Sequence, residues 1–313
     1  MTTHELFYQP GGMLRAPWRL LAFVLIAVVA FAVIGWLAVS ILPADFHATV
    51  EGVPAPKALA LSSIVMLVAL LVAHDVMLRW IDHLPWSYVG LGSRQAAPGL
   101  LGSGVLLGAL AIGVPSLLLI ALDWLEPHTA PVGSWVGFAI RVAAFLLPAA
   151  LVEELLFRGY LFAVLRDAWG WKATLVVTSV LFGLLHGRNP GADAQSIIAV
   201  IIAGFFLGGV LVATGSLFAA WMAHFAWNWV MAALLHTAVS GLPFAGPDYR
   251  IIDAGPDWAT GGRWGPEGGA GAIVGMLVAL AYLYARWPRK PALPGTMTSN
   301  DVIPNDIVNQ HHD

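Results

Sequence analysis

The chain has 313 residues, 59% of them hydrophobic and only 11% charged, with a formal net charge of −3. An ordinary soluble domain carries roughly 25% charged residues, so the composition excludes one, and a small negative charge without a basic stripe excludes an electrostatic nucleic-acid partner. The absence of cysteine removes disulfides, thiolate metal sites and a cysteine nucleophile, and leaves His, Asp, Glu, Ser and Asn for chemistry.

The polar N-terminus, Met1 to Pro17, leads into an apolar run from Leu20 to Leu42, long enough to span at ~20 residues. Ala38-Val39-Ser40 loosely resembles a signal-peptide cleavage site, but the run exceeds the roughly 7–15 residues of a signal peptide, so a retained first helix is expected. Further apolar segments follow at Ala58 to Ala73, Gly99 to Leu122, Trp135 to Phe157, Ala173 to Leu185, Ile197 to Ala213, Leu217 to Leu235 and Ala270 to Trp287. With the first run they predict an all-α, polytopic integral membrane bundle of about eight transmembrane helices, forming one domain over residues 1–290. Ala173 to Leu185 is too short to cross alone unless Trp169, Trp171 and His186 extend it through the interfaces.

Ser240 to Gly269 is the longest connection, rich in Gly and Pro and carrying Asp248, Asp253, Asp257 and Glu267. It reads as a mobile, solvated outer loop rather than a lid. The tail, residues 291–313, is polar and expected to be disordered. Placing Arg15, Arg19, Arg79, Arg94, Arg158, Arg166, Lys172, Arg286, Arg289 and Lys290 on one side and Lys57, Arg141, Arg188, Arg250 and Arg263 on the other divides the 15 Lys and Arg ten to five. Both termini are therefore expected in the cytoplasm. His74 and Asp75, with Arg79, Asp82 and His83 beyond them, read as a solvated helix end, and His236 as the end of a span. Trp221, Trp227 and Trp229 read as packing and interfacial anchors before a substrate groove.

Glu153, Glu154 and Arg158 interrupt an apolar run, where each ionisable group costs about 2.5–3.5 kcal/mol at membrane depth. Four residues apart on a helix, Glu154 and Arg158 can pair, while Glu153, turned by about 100°, is left free. Pro148 is expected to kink the helix beside them. Two more elements follow: Phe182-x-x-x-His186, and His224-x-x-x-Asn228, whose histidine and amide share a helical face. A free Glu, two His and an Asn from three spans can activate water and stabilise an oxyanion, the two requirements of amide hydrolysis. Three other protease routes lack their motifs: for the serine route Ser103 sits in Leu-Gly-Ser-Gly rather than Gly-x-Ser-Gly, for the aspartyl route there is no Gly-x-Gly-Asp, and the only His-Glu pair, His4-Glu5, lacks the second histidine of the zinc motif His-Glu-x-x-His. The predicted spans place Glu153 and His186 at opposite ends, which conflicts with their meeting. Either the short span starts deep in the membrane or its boundaries lie elsewhere, and the motif outweighs the boundaries.

Glu153-Glu154-x-x-x-Arg158, Phe182-x-x-x-His186 and His224-x-x-x-Asn228, in that order on successive apolar segments, resemble the signature of the CAAX prenyl protease and bacteriocin-processing (CPBP) family. The resemblance runs from about Phe145 to Met231, includes Gly215-Ser216-Leu217, and implies a family core at about residues 133–236. It implies a helical intramembrane protease, similar to the type II CAAX prenyl endopeptidases, that acts on a membrane-associated, prenylated or leader-type peptide. Glu153 would then be the catalytic carboxylate working with His186 on a water, His224 and Asn228 would bind the oxyanion, and Glu154, Arg158 and Phe182 would support them. Two cofactor readings stand: none, which is preferred, or Zn2+ on Glu153, His186 and His224. The implied partners are membrane lipid and a peptide substrate, and the implied setting is a bacterial plasma membrane. A non-catalytic scaffold or chaperone with the same fold, or a proton pathway through the same carboxylates, are the competing functions.

Overall fold

In the computed structural model, residues 3–9, 12–46, 49–50, 53–54 and 56–286 are described. A short helix, α1 (Thr3–Phe7), precedes α2 (Ala16–Ile41), α3 (Pro56–Asp75, prolonged by a π-helical turn through Ile81) and α4 (Pro98–Ala121). The second half holds α5 (Trp135–Arg158), α6 (Tyr160–Trp169), α7 (Trp171–Leu185), α8 (Ala194–Thr214), α9 (Leu217–Trp229, prolonged to Leu234), a one-turn α10 (Asp257–Thr260) and α11 (Ala270–Arg286). Each of the eight predicted apolar segments overlaps one of these helices. Trp287 at the end of the last segment, and the tail expected to be disordered, lie outside the described residues.

Six stretches, Ala16–Ile41, Lys57–Ile81, Pro98–Ala121, Trp135–Trp169, Ala194–Thr214 and Leu217–Leu234, are long and apolar enough to cross a membrane. Val28, Val29, Trp36, Leu106, Leu118 and Val278 point outward, which suits a bilayer as solvent and would be untenable in water. The chain is a helical integral membrane protein.

Two cores organise the bundle. One joins α2, α3 and α6 around Phe23, Leu70, Met77, Tyr160 and Val164. The other joins α4, α5, α8, α9 and α11 around Ile112, Leu146, Phe206, Ala223 and Met276. Small residues on α4 and α9, Gly104 and Gly108 against Ala219 and Ala223, bring those helices into backbone contact, as membrane packing requires.

The conflict between Glu153 and His186 disappears because the fourth span is longer than its apolar run, reaching from Trp135 to Trp169. The predicted kink at Pro148 is not where the chain breaks: α5 runs through Pro148 to Arg158, and Gly159 (φ −81°, ψ −126°) leaves the helical region. The chain then continues as α6 before turning back at Gly170 into α7. The 10 residues of α6 add ~15 Å below the break, and α7 must climb that distance again before it reaches the level of α5. Its last residues therefore arrive beside Glu153.

The same break corrects the reading of His74 as a solvated helix end. His74 is fully buried, its Nδ1–H donates to Leu70 O at 2.7 Å, and its Nε2 accepts the Tyr160 backbone N–H at 3.0 Å. That N–H belongs to the first turn of α6 and has no partner within the helix. A side chain at position 159 would collide with the imidazole, so the break needs glycine. Asp82 is also buried, in an ion pair with Arg19 at 2.7 Å. Arg19 is thus a structural charge, and without it and the buried Arg158 the charge division is eight (10 − 2) to five.

The connection between α9 and α11 is folded and partly buried rather than a solvated outer loop. Its strand β4 (Tyr249–Asp253) pairs antiparallel with β3 (Leu125–Thr129) from the α4–α5 connection, while β1 (Thr49–Val50) and β2 (Val53–Pro54) form a separate pair. Ala259, Thr260, Trp264 and Glu267 are buried. Its Gly and Pro content serves close packing: Gly265 adopts φ +103°, and any side chain there would meet the Ala238 carbonyl. Asn189 Nδ2 donates to Ser240 O, and Gln195 Nε2 to Gly268 O, which seats this segment as a plug on the α7–α8 turn.

Candidate active site

Three helices deliver the candidate residues. Glu153 and Glu154 lie one turn before the end of α5, His186 caps the C-terminus of α7, and His224 lies two turns into α9, whose N-terminus is capped by Ser216 accepting from Ala219 N–H at 3.1 Å. Glu154 and Arg158 pair as their spacing predicts: Arg158 NH1 donates to Glu154 Oε1 at 3.1 Å, with both side chains fully buried. Arg158 NH2 also donates to Gly204 O at 3.2 Å, and the guanidinium lies 4.3 Å from the centroid of the Phe182 ring. Phe182 packs on His186 at a tilt, with ring centroids 4.7 Å apart, and meets His224 edge-on, so it holds the arginine and both imidazoles in one packed unit.

Glu153 points away from this pair, and its side chain keeps 35% of its exposure. Its Oε2 lies 3.7 Å from His186 Nε2 and 3.8 Å from His224 Nε2, and makes no hydrogen bond. The ring orientations decide what those nitrogens are. His186 Nδ1 lies 2.7 Å from Phe182 O, a carbonyl that can only accept, so Nδ1 carries the hydrogen. His224 Nδ1 lies 2.9 Å from Glu154 Oε1 and donates in the same way. In neutral rings both Nε2 atoms are then acceptors, and with Glu153 Oε2 they make three acceptors facing one space without a hydrogen among them. A water or a proton satisfies such a set.

Behind the histidines is a cavity of about 30 Å³ lined by Phe182, His186, Phe206, His224, Trp227 and Asn228, and closed by Ser240 and Glu267 of the plug. A water needs roughly 10–15 Å³ by this measure, so the space admits water and no peptide. Asn228 stands on its wall, and its amide makes no hydrogen bond among the described residues. The structure thus gathers Glu153, Glu154, Arg158, Phe182, His186 and His224 directly and places Asn228 with the histidines on the cavity. Trp221 and Trp229 donate to Leu147 O and Ala139 O and serve packing, whereas Trp227 lines the cavity. Glu267 and Ser240 are the residues the sequence hid: a lone glutamate among glycines, grouped with three solvated aspartates, carried no periodic signal.

The three acceptors are also those a two-histidine, one-carboxylate zinc would use. Donors sharing a tetrahedral zinc at ~2.1 Å stand ~3.4 Å apart, and the 3.7 and 3.8 Å separations are wider. Among the described residues no group of three or more such side chains is arranged to hold a metal ion.

Residues 135–230 match the family described as type II CAAX prenyl endopeptidase Rce1-like, a span from the first residue of α5 to the end of α9 that contains all three motifs. No curated protein and no solved structure matches the chain.

Proposed function

We propose that this chain is an intramembrane endopeptidase that hydrolyses a peptide bond of a membrane-associated substrate, with prenylated peptides ending in a CAAX sequence as the first class to test. The observation that carries the reading is the convergence of Glu153 Oε2 with two Nε2 atoms whose Nδ1–H groups are already committed. The family match over residues 135–230 supports it.

In this reading a water held by Glu153 and His186 gives a proton to the carboxylate as its oxygen attacks the carbonyl carbon. The new oxyanion accepts from Asn228 Nδ2 and from His224 Nε2–H, whose proton is the one that the three facing acceptors share at rest and that stays on the ring through the cycle. Glu154 takes the Nδ1–H of that ring and supplies the opposite charge, while Arg158 and Phe182 fix Glu154 and the two rings. The proton on Glu153 passes to the amine as the C–N bond breaks, which returns the carboxylate. All of these steps use the chain's own groups. Both termini face the cytoplasm of a bacterial cell in this reading, as the distribution of Lys and Arg supports.

The test is the purified chain in detergent against a panel of prenylated and leader-type peptides. Glu153→Gln, which keeps the shape and removes the base, is expected to lose cleavage while inserting and folding as the wild type does. Undiminished cleavage by that variant sinks the assignment. Cleavage unaffected by a strong chelator is expected of the direct mechanism, and its abolition followed by rescue with Zn2+ overturns it.

A further inference from the structure

Glu267 lies on the plug, outside the matched segment, and outside the three motifs. It is nevertheless one of the most constrained side chains near the site. Its Oε2 accepts the Trp227 indole N–H at 3.0 Å, and its Oε1 accepts both the backbone N–H and, at 2.8 Å, the hydroxyl of Ser240. It is 8% exposed and lines the same cavity as His186, His224 and Asn228. A buried carboxylate is stable without a cation only when its oxygens are taken up by donors, and here three donors take them. Trp227 itself is placed tellingly. It follows His224 by three residues and precedes Asn228 by one, so whatever fixes its indole also fixes the stretch of α9 that presents both side chains. Phe206 packs against the same indole, its ring centroid 6.2 Å away, and the rest of the plug tip is held by the buried Trp264 and by Gly241 N–H donating to Trp264 O.

We propose that Glu267 is a positioning residue: it latches the plug onto α9 through Trp227, sets the orientation of His224 and Asn228, and keeps the outer side of the cavity closed to everything larger than water. Substrate then reaches Glu153 from its exposed side, and the plug side admits water alone. The proposal rests on the protease reading for its kinetic half, but the latch can be tested without it.

The experiment uses the full chain in detergent with a prenylated CAAX peptide, and compares Glu267→Ala, Glu267→Gln, Trp227→Phe and the double variant Glu267→Ala with Trp227→Phe. A displacement of about 1 Å at a reacting group costs about 100-fold in rate, so Glu267→Ala is expected to lower kcat by about that factor with KM unchanged. Trp227→Phe keeps the ring and removes the indole N–H, so it is expected to match that loss, and the double variant to be no worse than either single. Glu267→Gln keeps one acceptor oxygen and is expected to fall between wild type and Ala. Hydrogen exchange across residues 224–229 and 240–269 is measured in parallel, and is expected to rise in Glu267→Ala. Wild-type kcat in Glu267→Ala, or losses that add in the double variant, overturn the positioning role. Unchanged exchange overturns the latch whether or not the wild type cleaves any peptide, whereas a wild type that cleaves none defeats the protease reading and leaves the latch to be decided by exchange.

Discussion

Arg19 and Arg158 are both buried, 3% and 1% exposed, and each is paired with a carboxylate and backed by aromatic rings. Around Arg19, Asp82 Oδ2 takes Nε and NH2 of the arginine and the hydroxyl of Tyr160, while Tyr88 bonds the same guanidinium and donates to Asp167. Around Arg158, Glu154 is taken up by the arginine and by His224, but its neighbour Glu153 faces two histidines at 3.7 and 3.8 Å with no hydrogen bond. The first cluster ties α2 to the start of α6. The second stops one hydrogen short of completion, beside a space that water can enter. A buried charge in a membrane helix is therefore a weak marker of chemistry on its own, and so is a single unbonded carboxylate oxygen, since Asp82 Oδ1 lacks a partner too; the informative feature is the convergence of three acceptors from three helices, Glu153 Oε2 and the two Nε2 atoms.

Substitution at the two carboxylates separates the clusters most sharply. Glu153→Gln is expected to lower kcat by about 10⁴-fold, the upper range for a general base and worth about 5.4 kcal/mol at 1.36 kcal/mol per decade. Its unfolding midpoint in detergent should stay at the wild-type value, because Oε2 has no hydrogen bond to lose. Asp82→Ala reverses the pattern: it strands Arg19, and breaking a buried pair costs about 3–5 kcal/mol of stability. The molecules that remain folded should cleave at the wild-type rate. Denaturant unfolding and turnover per folded molecule measure the two halves, and a kcat loss in Asp82→Ala equal to that of Glu153→Gln would erase the distinction.

These two regions also differed in how far the sequence disclosed them. Glu154 and Arg158, or His224 and Asn228, are four residues apart, so helical periodicity alone put them on one face. Arg19 and Asp82 are 63 residues apart, and no local pattern links them, which is why Asp82 read as solvent-facing. His74 was misread for the same reason, since the N–H it accepts is 86 residues away. The break at Gly159 was hidden because a single glycine in an apolar run is compatible with continued helix, and it moved the boundary that had kept Glu153 and His186 apart. The plug was misread on composition: glycine and proline mark flexible loops in general, but at Gly265 and its neighbours they permit backbone contacts that any side chain would block. Short-range chemistry was legible, and tertiary satisfaction of polar groups was not.

His74 gives the next smaller effect and sharpens the comparison from the structural side. His74→Ala leaves the Tyr160 N–H buried without an acceptor, which costs about 1–3 kcal/mol. The loss should appear as lower thermal stability in detergent. Because His74 holds the hinge between α5 and α6 and touches no candidate catalytic group, KM and kcat of the folded fraction should remain those of the wild type.

A third carboxylate, outside both clusters and exposed to water, gives the smallest effect. Asp193 caps α8: its Oδ1 accepts the Ser196 backbone N–H and hydroxyl, each at 2.7 Å, and the Ser196 hydroxyl oxygen accepts the Asp193 N–H in return. The Ser196 backbone bond first, and its hydroxyl second, hold the Asp193 carboxyl below the ordinary value of an aspartate. A carboxyl whose folded-state value is depressed stabilises fully above its unfolded-state value of about 3.9, and that contribution fades as pH falls through the lower folded-state value. Asp193→Ala is therefore expected to cost about 1 kcal/mol at pH 7, and the gap from wild type should narrow below about pH 4. An Asp193→Ala gap that persists undiminished in acid would mean that the cap acts through backbone geometry alone, and that a bonded carboxylate in this fold does not report its bonds through pH.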